Sequence, residues 1–460
     1  MELPSVFIER TKLLLKDEWG EFVKALEQQT PVSIRLNNKK NIGDNRSSDA
    51  IVPWCSSGYY LAERPQFTFD PLLHAGCYYV QEASSMFVEQ AASQYIKGSV
   101  KVLDLCAAPG GKSTLLAGLL DKGSLLVSNE VIRSRAYILA ENMTKWGCEN
   151  AIVTNNDPAQ IGKLDNYFDA ILIDAPCSGE GMFRKDLGAV DEWSVDNVKL
   201  CRQRQQRILS DVWPALKPGG LLLYSTCTYN VEENEENVIW VRDILGAEIL
   251  EVEVQSEWGI SPSVVSNVPA YRFFPHKTQG EGLFFAMMRK NGNEPGISRP
   301  KNRKEKLKNS KNELKGEYRN YIKESDLFNF HEQNNSWIAF PKYLSDDFSF
   351  LRSNLNIISA GIDIGEFKGK DYIPHQSLAL SCNLNMEAFQ VYDIDWRTAI
   401  NYLRKEPVVV SDMSKGFILL TYRNVPLGFI KNIGNRANNL YPQEWRIRSA
   451  NIPIQEVKVL

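Results

Sequence analysis

Four histidines and eight cysteines are few for 460 residues, and no two cysteines stand in a Cys-x-x-Cys pair. That spacing leaves neither a zinc site nor a disulfide framework to expect. The reducing cytoplasm is the expected compartment. No run approaches the roughly 20 apolar residues of a membrane helix, so no membrane partner is expected. The first residues, MELPSVFIERTKLLLKDEWGEF, scatter acids through the stretch and lack an apolar core followed by small residues, which argues against a signal peptide. An excess of positive charge is also missing, because the net charge is −3. A nucleic-acid partner would therefore need locally clustered cations, and one cluster runs from Lys301 to Lys315. Internal repeats are absent.

What is present is ordinary globular composition, 43% hydrophobic and 24% charged, in a length that suits roughly two to four domains. Residues 1–98 mix helix and loop signals. Phe7, Leu13, Leu14, Leu15, Trp19, Phe22, Val23 and Leu26 recur near helical spacing, and a strand-like VSIRLN follows. Residues 99–290 alternate strand and helix: SVKVLDL, LLVSNE, AIVTNN, FDAILIDAP and LLLYST read as strands, with helices over 112–120, 133–146 and 197–216 between them. A further helix is expected over 230–244, with Asn230 as N-cap and Glu233 at capping-box spacing. The class is α/β, a mainly parallel sheet with helices on both faces, whose ligand site lies outside the carboxyl ends of the strands. Residues 291–316 read as a basic linker, 317–385 as a small intermediate domain, and 386–460 as a compact β-rich module.

Three strand-end loops carry the chemistry. The first is LDLCAAPGGKST, from Leu103 to Thr114. It nearly matches a phosphate-binding P-loop, but Cys106 stands where that motif needs its first glycine. The rival reading is a nucleoside cofactor without phosphates. Gly110 and Gly111 allow close backbone approach, the helix start at Lys112 offers free amides to a carboxylate, Glu130 could hold ribose hydroxyls, and Asp157 could face an adenine amino group. S-adenosylmethionine fits this series better than ATP.

The other two loops each bear a cysteine: Cys177 in IDAPCSGEG and Cys227 in LLYSTCTYN. Carbon 5 of cytosine accepts a methyl group only after a thiolate adds to carbon 6 with N3 protonated or hydrogen-bonded. That route needs a nucleophile, an acid and a group for release, and Asp174, Cys177 and Cys227 supply these types at adjacent strand ends. Glu232, Glu233, Glu235 and Glu236 are expected in the first turns of the helix after Cys227, complementing its dipole. Cys55, Cys77, Cys148, Cys201 and Cys382 read as buried small hydrophobes, and Cys106 as packed beneath its loop.

CAAPGGK, DAPCSGEG and STCTYN, with HAGCYYVQEASSM upstream, resemble the motifs of the Sun/Nop family of RNA cytosine-5 methyltransferases, especially its RsmF-like bacterial members. The resemblance spans residues 3–289. It implies a Rossmann-like methyltransferase domain, an RNA-binding N-terminal extension and a PUA-like RNA-binding module at the C-terminus. By it, Cys227 is the nucleophile, Cys177 promotes release, Asp174 contacts cytosine and Lys112 lines the pocket. Cys106, Ala107, Ala108, Pro109, Gly110, Gly111 and Lys112, with Glu130, Asp157 and Asp174, would bind S-adenosylmethionine. Arg184 and Lys185, and in the last module Lys431, Arg436, Arg446 and Arg448, are the expected phosphate contacts; Tyr441 and Trp445 are expected in its core. The implied substrate is 16S rRNA or the small ribosomal subunit, acted on by a monomer. Transfer RNA, a P-loop nucleotide hydrolase and a non-catalytic RNA-binding assembly factor are the alternatives.

Overall fold

The computed structural model describes residues 2–40, 50–292, 314–333, 335–369 and 371–460. Residues 293–313, which hold most of the expected basic linker and of its Lys301–Lys315 cluster, lie outside the described residues. The chain begins with helices Ser5–Leu15 and Trp19–Leu26. A three-stranded antiparallel sheet follows, in which β1 (Val32–Leu36) lies between β2 (Gly58–Leu61) and β3 (Tyr78–Val80).

The next five strands are β4 (Lys101–Asp104), β5 (Leu125–Asn129), β6 (Ala151–Thr154), β7 (Phe168–Asp174) and β8 (Leu216–Thr226). They are mutually parallel, in the order β8-β7-β4-β5-β6. Their near-continuous apolar runs follow from burial on both faces. Val102, Leu126, Leu172 and Leu223 pack on one side with Phe87 and Leu116, while Leu103, Val127, Ile171 and Leu222 pack on the other with Ile208 and Leu209. The strand order reverses between β4 and β7. That switch point opens a crevice at their carboxyl ends, where the Cys106 loop and Asp174 emerge.

Antiparallel strands extend the sheet beyond β8: β9 (Ala247–Leu250), β10 (Ser261–Pro262), β11 (Tyr271–Phe273) and β12 (Leu283–Lys290). β12 pairs with β8, so Phe284 lies opposite Thr226 and the Glu281–Gly282 turn stands beside Cys227. At the other edge, Ile357–Ala360 pairs antiparallel with β6. A strand from the segment expected as a small intermediate domain thus covers an edge that would otherwise expose unpaired backbone groups. The rest of that segment forms a four-stranded sheet from Phe328–Gln333, Ser336–Pro341, Ile362–Lys368 and Asp371–Pro374.

The last module holds helix Trp396–Leu403 and four strands, Gln390–Asp393, Gly416–Tyr422, Val425–Asn432 and Ala437–Asn439. Its core is not its own. Ile34, Leu36 and Tyr78 from the first sheet, with Phe67 and Leu72 from the short helical turns that precede its last strand, form one buried cluster with Trp396, Ile400, Leu403, Ile418 and Leu420. Trp396 Nε1 donates to the Phe69 carbonyl at 2.8 Å across that seam. No helix among the described residues is long and apolar enough to cross a membrane.

Candidate active site

The loop after β4 is held from three sides. Ala107 N–H donates to the Asn129 carbonyl at 2.8 Å, Arg135 donates to the Ala108 carbonyl at 2.8 Å, and Asn142 donates to the Pro109 carbonyl at 2.7 Å. Gly110 turns the chain with φ +118°, a conformation side chains disfavour, and helix Gly111–Leu119 starts immediately after it. The N–H groups of its first turn have no intrahelical acceptor. A fully buried arginine of the first sheet braces this helix start. Arg35 donates to Thr114 Oγ1 at 2.6 Å and to Gln81 Oε1 at 2.8 Å, with its guanidinium 4.5 Å over the Trp146 ring.

The residues that follow separate the two readings of the loop. In a P-loop the lysine and hydroxyl would face phosphates and magnesium. Here Lys112 Nζ pairs with Asp174 Oδ2 at 2.7 Å, and Ser113 Oγ donates to Asp104 Oδ2 at 2.7 Å. Burial acts to lower the Lys112 pKa, but Asp174, through charge and hydrogen bond, with Asp104 and Cys227, outweighs it and the net shift is upward. Asp104 is fully buried, and burial pushes its pKa up to about 7 against the hydrogen bond from Ser113. Its Oδ1 is a buried acceptor without a hydrogen-bond partner among the described residues. Glu130 directly follows β5 and is almost fully buried, accepting Ile132 N–H at 2.9 Å, with Arg135 3.7 Å from its other oxygen. An orphan acceptor, free helix amides and a strand-end carboxylate fit a cofactor with an amino-acid end and a ribose, as S-adenosylmethionine has. Asp157 sits exposed after β6 and caps the short helix Pro158–Ile161, in a capping box with Gln160.

Asp174 links this cofactor loop to the thiols. Its Oδ1 accepts from Ser225 Oγ at 2.8 Å, and Ser225 is two residues before Cys227 on the neighbouring strand. Cys227 Sγ and Cys177 Sγ stand 3.1 Å apart as free thiols, and Cys227 N–H points at Cys177 Sγ at 3.3 Å. The hydrogen bond to Cys227, then burial, hold the Cys177 pKa well above that of a free thiol, so Cys177 keeps its proton. Lys112, Asp174, Cys177 and Cys227 therefore meet at the carboxyl ends of β4, β7 and β8. Cys106 is half-buried, as is Cys382, while Cys55, Cys77, Cys148 and Cys201 are buried.

Several expectations need correction. The segment after Cys227 does not turn helical at Asn230; the helix starts at Glu235 and runs on past Trp240 as a π-helical stretch, Val241–Gly246. Asn230 Oδ1 does accept from Glu233 N–H at 2.9 Å, but its own N–H goes to Glu180 at 3.0 Å, so no capping box closes. The acids there have specific partners: Glu232 pairs with Arg10, Glu235 with the buried Arg272, and Glu236 with Arg202. Arg184 is unavailable to phosphates. Its side chain is only 5% exposed and is locked to Glu281 at 2.9 Å and to the Ala25 and Gly280 carbonyls. Lys185 is exposed, with its Nζ 3.4 Å from the same glutamate. Lys431 pairs with Asp371. Arg436, Arg446 and Arg448 are exposed and make no ion pair among the described residues. Tyr441 is fully buried and Trp445 packs on it. Sequence reasoning missed Arg35, Asp104, Ser225, Glu180 and Glu281. Only Ser225 carried a local signal, lying near the end of the strand that leads into Cys227.

Residues 96–289 match the family described as 16S rRNA methyltransferase RsmB/F. Residues 3–83 match the N-terminal domain of 16S rRNA methyltransferase RsmF, and 389–447 the methyltransferase RsmF PUA domain. Ribosomal RNA small subunit methyltransferase F of Pectobacterium atrosepticum is 28% identical, over 96% of this chain and 95% of that protein. The protein of the same name from Vibrio vulnificus is 29% identical over 98% of each. Among solved structures, a methyltransferase homolog protein from Pyrococcus horikoshii is 29% identical with a TM-score of 0.53, covering 62% of this chain and 95% of that one.

Proposed function

We infer, for a chain that belongs to the RsmB/F family of RNA methyltransferases, that it methylates carbon 5 of a cytosine in 16S rRNA through a covalent bond from Cys227 to carbon 6. The observation that carries this reading is the contact of two free thiols beside the Lys112–Asp174 pair at the switch point. The enzyme acts as a cytoplasmic monomer on the small subunit or its RNA. Cys106 to Lys112, Glu130, Asp157 and Asp174 hold S-adenosylmethionine, which supplies an electrophilic methyl group when bound.

The chain's own residues prepare the ring. The target cytosine must leave its stack to enter the crevice. Asp174, charge-balanced by Lys112 and oriented by Ser225, faces the N3–N4 edge. The Cys227 thiolate adds to carbon 6, and the electrons of the 5,6 double bond move so that carbon 5 becomes nucleophilic. After methylation a base takes the carbon 5 proton, the double bond re-forms, and the Cys227–carbon 6 bond breaks with its electron pair on sulfur. The protonated Cys177 donates a hydrogen bond to that leaving sulfur, the role its raised pKa supports.

Bisulfite sequencing of total RNA from cells with and without the gene tests the reading. One protected cytosine in 16S rRNA is expected to vanish with the gene and to return with wild-type protein but not with Cys227→Ala. Unchanged protection in 16S rRNA would overturn the substrate, and loss in transfer RNA instead would reassign it.

A further inference from the structure

Cys177 and Cys227 lie on separate loops that leave different strands, and strand geometry alone does not hold two such loops at sulfur contact. Two buried glutamates bridge them, one from each side. Glu180 belongs to the Cys177 loop and reaches the other: its Oε2 accepts the backbone N–H groups of Tyr229 at 2.7 Å and Asn230 at 3.0 Å. Its Oε1 accepts from Trp193 Nε1 at 2.9 Å. Glu233 belongs to the Cys227 loop and reaches back: its Oε2 accepts Ser178 N–H at 3.0 Å and Gln205 Nε2 at 2.7 Å. Asn230 Nδ2 touches both carboxylates, Glu233 at 2.8 Å and Glu180 at 3.2 Å. Gly181 N–H to the Cys227 carbonyl, at 2.9 Å, closes the same seam.

Glu180 is 2% exposed and Glu233 is fully buried, yet among the described residues neither has a cation as ion-pair partner. Their neighbours Glu232, Glu235 and Glu236 each have an arginine. Burying an ionised carboxylate without a cation is costly unless hydrogen bonds satisfy it on every side. Here Glu180 takes its donors from the Cys227 loop and Trp193, and Glu233 from Ser178 of the Cys177 loop, Asn230 and Gln205, and only a group that accepts and never donates matches them all. A glutamine in either place would turn an N–H toward another N–H.

We propose that Glu180 and Glu233 are positioning residues for methyl transfer, each gripping the backbone of the opposite cysteine loop, so that together they set the Cys177–Cys227 separation on which product release depends. The proposal rests on the covalent reading above. In that reading, addition to carbon 6 needs Cys227 alone, whereas departure of the Cys227 sulfur needs the Cys177 proton within hydrogen-bond reach. Loosening the latch therefore slows release before it slows addition. The charge of Glu233 also opposes ionisation of Cys177, adding to the larger effects of the Cys227 hydrogen bond and burial.

The test uses the full-length protein and its Glu180→Gln, Glu233→Gln and Asn230→Ala variants. Asn230→Ala removes the amide that touches both carboxylates while leaving their charges, and it decides the matter if a glutamine variant does not fold. The variants are expected to lose about 10- to 100-fold in kcat, the scale of an ångström of misplacement, with RNA KM within about twofold. A denaturation-resistant RNA adduct should persist in them at steady state. The latch is also read without RNA. Diamide oxidises two touching thiols to a disulfide and is itself reduced to the hydrazine. Closure of Cys177–Cys227, followed by mass and thiol count, should be at least about tenfold slower in the variants, because the bond demands close sulfur geometry. Wild-type kcat and wild-type trapping rates in the folded variants would overturn the proposal. A wild-type protein that forms no RNA adduct, with trapping still slowed in the variants, would instead remove the covalent reading and leave the latch standing.

Discussion

Lys112 Nζ and Asp174 Oδ2 stand 2.7 Å apart, the lysine nearly buried and the aspartate a third exposed toward the crevice. The ammonium comes from the first turn of the helix after β4, the carboxylate from the last residue of β7. The pair thus ties the cofactor loop to the side of the pocket that would read the cytosine.

Replacing Lys112 with methionine keeps the length and removes the charge. Ser225 then remains as the hydrogen-bond donor to Asp174, and the ring edge meets an unbalanced carboxylate. Single-turnover methylation should slow by about 10²- to 10⁴-fold, the range of a lost acid–base partner. A rate within about threefold of wild type would mean that the pair serves folding alone.

Cys177→Ala should trap the enzyme on its substrate. Addition by Cys227 proceeds, the leaving sulfur finds no proton donor, and a covalent RNA–protein band accumulates on denaturing gels. Cys227→Ala should give neither band nor product. If Cys177→Ala turns over normally without a band, the two thiols do not divide the work as proposed.

Arg184→Met should act on stability and not on RNA. The change leaves Glu281 buried with Lys185 at 3.4 Å as its remaining cation, an imbalance of about 3–5 kcal/mol by analogy with broken buried pairs. Denaturant unfolding measures this, and RNA affinity of the folded protein should be unchanged. The exposed Arg436, Arg446 and Arg448 should behave oppositely. Changing all three to glutamine should leave unfolding unaltered and reduce the slope of log affinity against log salt by about 2, at roughly 0.7 per phosphate contact.

His74 sets a pH limit on the seam between the first sheet and the last module. Its Nε2 lies 2.9 Å from the Thr68 carbonyl; burial first, then the charge of Lys145, press its pKa down to about 3. The unfolded chain binds a proton near pH 6.5 and the folded chain does not. Its contribution is therefore complete above pH 6.5 and is lost as pH falls from there toward 3, about 2 kcal/mol by pH 5. Unfolding of wild type and His74→Asn at pH 7 and pH 5 should show the gap between them shrinking by that amount. A gap that does not change with pH would contradict a buried neutral imidazole.

Much of the architecture was legible because the signals are local. The helix Arg133–Trp146 agrees with its sequence pattern to the residue, and the strands ending at Asn129, Asp174 and Thr226 follow from apolar runs that stop at polar loops. Long-range pairing leaves no such trace. Nothing near Ile357 announces a partner at Thr154, and nothing near Arg184 announces Glu281, so the first was read as part of a separate domain and the second as a phosphate contact. The helix expected from Asn230 starts at Glu235 for a related reason. Asn230 and Glu233 are engaged with Ser178 and Glu180 on another loop and with Gln205 on the helix Val195–Val212, and local capping rules do not see those partners.

The shared cluster joining Ile34 and Phe67 to Trp396 and Leu420 has a consequence for synthesis. The first sheet leaves the ribosome early, but the side chains that cover its apolar face are encoded near the other end of the message. Folding cannot finish in the order of translation, and until the final helix emerges that face must stay exposed or be held by a chaperone. A chain cut short before Trp396 should therefore lose solubility at its beginning, far from the cut.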